Sequence, residues 1–258
     1  MAESDRPFVI LIDTNAMAAL SLYVETCTSA NLSLGVTIDE LKRKFEGKGI
    51  SAEYVQWKQG GIKEGYKVFK YLKSKIEKFD TVQIWFSLLS EIELLDVFLD
   101  RTFDQELTRK GIPYRIRRKK PFRVQIDFNY EKKIAKYWED IKEKLSEEGI
   151  EFDNPEKESD AIQNIIEIAK IVARYVALEP VDLYLYASGI YLRADEIYTY
   201  DGEFRNIIND LRTNTDWKNI YNNIQQDLRT FIRSFEDEYQ KEKKIYLPEG
   251  VRIKNETH

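Results

Sequence analysis

The chain has 258 residues, 33% of them charged and 43% apolar, with a formal net charge of −5. This is a globular mixture long enough for one large domain. No run approaches the ~20 apolar residues that span a bilayer, and no overall positive charge draws nucleic acid, so any such binding must come from a local patch.

One cysteine, Cys27, excludes an internal disulfide framework and a cysteine-based zinc site, and the single histidine, His258, excludes histidine-dependent catalysis. Chemistry is left to carboxylates, hydroxyls, lysines or a metal held by oxygen. The chain is poor in Cys, Met and His and rich in Lys and Glu, a thermophile-like composition. Residues 1–7 hold no basic stretch leading into an apolar signal core, which predicts a cytoplasmic protein.

In chain order, the apolar run over residues 8–12 predicts a strand buried on both faces of a parallel sheet. Asp13-Thr14-Asn15 follows at its carboxyl end, where open α/β sheets place their ligands, and a helix is expected around residues 16–23. A plain turn into that helix is the simpler reading of the triplet. Residues 37–45 read as a helix whose Thr37 and Glu40 form a capping box. The Gly47–Gly49 and Gly60–Gly61 pairs read as turns. A helix over residues 62–79, a strand over 82–86 and a helix over 87–104 come next.

Residues 109–123 hold eight basic side chains and no acid, and Pro113 and Pro121 argue for a loop or edge hairpin. Helical spacing resumes over residues 128–145, and residues 147–160 are acidic. Residues 159–178 predict an amphipathic helix capped by Ser159 or Asp160. Pro180 breaks it, Asp182 opens a helix running to residue 192, and residues 196–200 form a short strand ending at Asp201. A long polar helix over 217–239 and a terminal strand within 244–253 complete the reading. Strands alternating with helices predict an α/β fold with a central, mainly parallel twisted sheet flanked by helices.

Asp13, Glu91 or Glu93, Asp182 and Asp201 all fall at strand ends or in early helical turns, so one face of the sheet could gather them. Taken singly, Asp182 reads as a helix cap, Asp201 as a turn residue, and Glu91 and Glu93 as solvated charges.

As an ordered set these residues resemble the PIN-domain nucleases, metal-dependent ribonucleases whose group includes the VapC toxins. The likeness rests on Leu11-Ile-Asp13-Thr-Asn15, on Ser87 to Leu94, on Asp182 leading a helix with Ala187, Ser188 and Gly189, and on Thr199-Tyr-Asp201-Gly-Glu-Phe204. Within that pattern Glu93 fits the second acid better than Glu91. The resemblance implies a PIN-like three-layer fold with a core over about 8–104 and 159–212, an insertion over 108–158 and a helical extension over 213–258. It also implies Asp13 and Asp201 as direct ligands of Mg²⁺ or Mn²⁺, and Glu93 and Asp182 as ligands directly or through water. Asn15 and Thr199 would orient the carboxylates or bond the scissile phosphate. Independently, crowded carboxylates repel, some retain protons, and a hard cation on oxygen ligands relieves that cost.

The function expected is cleavage of single-stranded RNA, leaving 5′-phosphate and 3′-hydroxyl ends as the resemblance implies, in RNA processing or as a toxin. A non-catalytic RNA-binding or scaffolding protein is the alternative. Partners expected are the RNA, a second copy of the chain, and an antitoxin-like or RNA-processing protein. Arg115, Arg117, Arg118, Lys119 and Lys120, interleaved with Tyr114 and Phe122, form a candidate RNA grip, or else a solvated edge facing the acidic run. A haloacid-dehalogenase phosphatase would need an acid at Asn15. No Gly-rich phosphate loop follows a strand.

Overall fold

Why five apolar residues stand in a row becomes clear from where their side chains go. In the computed structural model, which describes residues 6–46, 52–109, 130–157, 160–236 and 252–254, strand β1 (Phe8–Ile12) lies inside the sheet. Successive side chains point to opposite faces of a strand. Ile10 and Ile12 enter one core while Val9 and Leu11 enter the other. Val9 to Ile12 are buried on both faces.

The sheet is small and all parallel, in the order β2-β1-β3-β4, with β2 at Val82–Trp85, β3 at Glu196–Tyr198 and β4 at Arg252–Lys254. Register pairs Phe8 with Val82 on one side of β1 and Ile10 with Glu196 on the other. The fold is α/β and mostly helical, and helices cover both faces. Helices α1 (Thr14–Ala30), α2 (Ile38–Glu46), α3 (Ala52–Lys78), α4 (Leu88–Arg109) and α5 (Tyr130–Ser146) pack on one face, around Tyr23, Leu72, Phe98 and Trp138. Helices α6 (Ala161–Ala173), α7 (Pro180–Leu192), α8 (Gly202–Thr213) and α9 (Lys218–Glu236) pack on the other, around Ile165, Leu185, Phe204 and Leu228. Among the described residues no helix is long and apolar enough to cross a membrane.

Several expected elements change on folding. Helix α1 runs well beyond residue 23, because its buried face continues through Val24, Cys27 and Ala30. Gly60 and Gly61 lie inside α3 rather than in a turn. A Cβ at Gly65 would stand 2.0 Å from the carbonyl oxygen of Ala19, and one at Gly61 2.9 Å from Leu22. The glycines therefore let α3 settle against the backbone of α1, and that close approach outweighs their poor helix propensity.

Helix α6 ends at Ala173, not near residue 178, because residues 174–179 are needed to turn the chain back. Pro180 opens α7 instead of merely preceding it, at a position where its missing N–H costs nothing. Strand β3 stops at Tyr198 because the groups of residues 199–201 bond elsewhere. Helix α9 is amphipathic rather than polar, burying Ile224 and Leu228.

The capping box is formed, with the Thr37 N–H donating to Glu40 at 2.7 Å and the Glu40 N–H to Thr37 Oγ1 at 3.3 Å. Asp160 occupies the N-cap of α6 without a side-chain capping bond. The Gly47–Gly49 pair, Ser159 and the basic side chains Arg115, Arg117, Arg118, Lys119 and Lys120 lie outside the described residues.

Candidate functional site

The chain leaves β1 toward β2 and leaves β3 toward β4, in opposite directions across the sheet. Helix α1 accordingly packs on one face and α8 on the other. Between the carboxyl ends of β1 and β3 this opens the crevice where parallel sheets bind ligands. Asp13 follows β1 there, and Thr199 to Asp201 follow β3.

Asp13 is 6% exposed. Its Oδ1 accepts from the Thr14 N–H at 2.6 Å and its Oδ2 from the Thr199 hydroxyl at 2.6 Å. The Thr199 oxygen also accepts from the Asp201 N–H at 2.9 Å and from Asn15 Nδ2 at 3.4 Å. Asn15 Oδ1 accepts from the Tyr200 N–H at 2.9 Å. Six residues from two strand ends thus form one clasp.

Glu93 reaches this clasp from α4, where its Oε2 accepts from the Thr14 hydroxyl at 2.6 Å. Ser87 caps that helix by accepting the Ser90 N–H at 3.1 Å, which sets the turn that carries Glu93. Glu91 points elsewhere and accepts the Trp138 indole N–H at 2.6 Å. Asp182 sits in the first turn of α7 and Asp201 caps α8, accepting the Phe204 N–H at 2.8 Å.

Burial pushes the Asp13 carboxyl up to about 6, against the hydrogen bonds from Thr199 and Thr14, with Glu93 and Asp201 adding to the rise. Partial burial, then the charges of Asp201, Asp13, Glu179 and Glu93, push Asp182 up to about 6 as well. Asp13, Glu93, Asp182 and Asp201 therefore lie within electrostatic range of one another.

They do not all close on one point. Among the described residues, no three acids, histidines or cysteines gather tightly enough to hold an ion by themselves. The donor chemistry still fits a hard divalent cation: every available atom is oxygen, and Mg²⁺ commonly takes one or two carboxylates while water and substrate phosphate fill the remaining positions.

Three contributors escaped sequence reading. Thr14 bridges Asp13 and Glu93, and its place beside the strand-end acid was the one available signal. Glu156 accepts the Leu88 N–H at 3.1 Å and the Tyr184 hydroxyl at 2.9 Å, joining the starts of α4 and α7. Tyr200 donates its hydroxyl to the Glu64 carbonyl at 2.8 Å, joining the clasp to α3. For the last two no local pattern exists, since each depends on a partner far along the chain.

No protein-family model matches the chain, and no curated protein or solved structure does either.

Proposed function

We propose that the chain is a Mg²⁺- or Mn²⁺-dependent endoribonuclease of the PIN type, hydrolysing phosphodiester bonds of single-stranded RNA. The observation that supports this reading is that Asp13, Glu93, Asp182 and Asp201, carried by separate elements around the crevice between β1 and β3, lie close enough for their charges to add to the burial that raises Asp13 and Asp182. Holding repelling acids together is costly, and a cation offsets that cost.

Asp13 and Asp201 would hold the metal, with Glu93 and Asp182 acting directly or through water. When bound, such a cation acidifies a water and neutralises charge on a phosphate. The chain's own residues supply orientation. Thr199 fixes one Asp13 oxygen and the Thr14 N–H the other. The Thr14 hydroxyl aims Glu93, and Asn15 locks the backbone of Tyr200 between Thr199 and Asp201.

A non-catalytic RNA-binding or scaffolding protein is the second reading, favoured by the absence of a closed three-carboxylate shell among the described residues. Cleavage of unstructured RNA that requires Mg²⁺ or Mn²⁺ and disappears in Asp13→Asn supports the enzyme. RNA binding that survives Asp13→Asn, with no cleavage by either protein, supports the scaffold.

A further inference from the structure

Beside the clasp, α3 and the start of α2 enclose a groove of about 390 Å³ lined by Thr37, Ile38, Asp39, Lys63, Tyr66, Lys67 and Lys70. Residues 63, 67 and 70 follow helical spacing, so their ammonium groups form one stripe about 10 Å long. Lys67 pairs with Glu64 at 3.3 Å. The groove's only acid, Asp39, pairs with Lys42 at 3.7 Å, outside the lining. Lys63 and Lys70 are exposed, and among the described residues neither has a carboxylate partner. Lys70 lies 5.7 Å from the centre of the half-buried Tyr66 ring. In a chain of net charge −5, this leaves two uncompensated cations flanking an aromatic ring.

The groove is tied to the candidate site by one hydrogen bond. Glu64, the residue after Lys63, accepts the Tyr200 hydroxyl at 2.8 Å, and Tyr200 stands between Thr199 and Asp201. The α3 backbone beside Lys63 is therefore one tyrosine side chain away from the turn that carries Asp201.

We propose that this groove binds the phosphate backbone of single-stranded RNA, with Lys63 and Lys70 as its two phosphate contacts and Tyr66 offering a face for a base. A point charge on a flexible stem suits a backbone whose sequence is not read. The proposal rests on the ribonuclease reading only for why a strand should lie beside the clasp; occupancy of the groove is independent of cleavage.

The test measures binding of a labelled, unstructured uridine oligonucleotide by fluorescence anisotropy across a salt series in EDTA, where metal-dependent cleavage cannot consume the probe. Each single-strand phosphate contact adds about 0.7 to the salt slope, so Lys63→Ala with Lys70→Ala should weaken binding several-fold and flatten the slope by about 1.4. Lys63→Arg with Lys70→Arg should restore both. Lys170→Ala with Lys218→Ala, exposed positions on helices of the opposite face, should change neither.

An unchanged slope in the groove variant overturns the proposal, as does a wild-type protein that does not bind. Equal affinity for an oligoglutamate peptide overturns the assignment to RNA. Binding that depends on the lysines, without cleavage in Mg²⁺, leaves the groove standing and removes the nuclease. Cleavage with a slope indifferent to the lysines does the reverse.

Discussion

Thr199 donates its hydroxyl to Oδ2 of Asp13 across 2.6 Å, joining the carboxyl ends of two adjacent parallel strands. The same oxygen accepts the Asp201 N–H, so one buried hydroxyl sets both the orientation of Asp13 and the path of the chain into α8. Thr199→Val keeps the shape and removes both bonds together with the one from Asn15 Nδ2. An unsatisfied buried polar group costs roughly 1–3 kcal/mol, so urea unfolding should show a loss of about 2 kcal/mol. Thr199→Ser should recover most of it. A midpoint unmoved in Thr199→Val would mean the clasp is not what holds Asp13.

Glu91 and Glu93 lie two residues apart on α4, yet only Glu93 bonds to the Thr14 hydroxyl. If the acids act on RNA, Glu93→Gln should lower the cleavage rate by about 100-fold or more, the scale of losing a charge-stabilising group. Glu91→Gln keeps an oxygen for the Trp138 indole and should stay within a few-fold of wild type. Equal losses in both would contradict the division of labour drawn from their contacts.

Asp13 and Asp182 both have native pKa values near 6 against an ordinary 3.8. Below pH 3.8 both folded and unfolded chains hold these protons. Between 3.8 and 6 the unfolded chain releases them first, so these two groups lower stability as pH rises through that window, and the loss is complete above it. In EDTA, Asp182→Asn should therefore be more stable than wild type at pH 7 and indistinguishable from it near pH 3.5. Added Mg²⁺ should raise the wild-type unfolding midpoint at pH 7 more than that of the variant. A stability difference independent of pH would refute the electrostatic account.

The glycines of α3 separate helix propensity from packing. A Cβ at Gly60 meets nothing within 4 Å, so Gly60→Ala should stabilise by up to about 1 kcal/mol. Gly65→Ala drives a Cβ into the Ala19 carbonyl at 2.0 Å, which no side-chain rotation relieves, and should cost more than about 3 kcal/mol or abolish folding. Circular dichroism melts of the two variants should shift in opposite directions.

Read alone, the sequence carries its elements in local patterns: the run at residues 8–12, the box at Thr37 and Glu40, and the acids placed just past each strand. Strands and caps are decided by neighbours within a few residues, so β1, β2, β3 and the start of α2 are legible without a fold. What only the tertiary structure decided depends on partners far along the chain. Trp138 claims Glu91 and leaves Glu93 to Thr14, and Ala19 explains why α3 carries Gly65. Glu156 ties α4 to α7, and Tyr200 ties the backbone of α3 to the turn that carries Asp201. Periodicity says which side of an element is apolar, but strand order and helix crossing select what that side meets, and those follow from the packing of the whole chain.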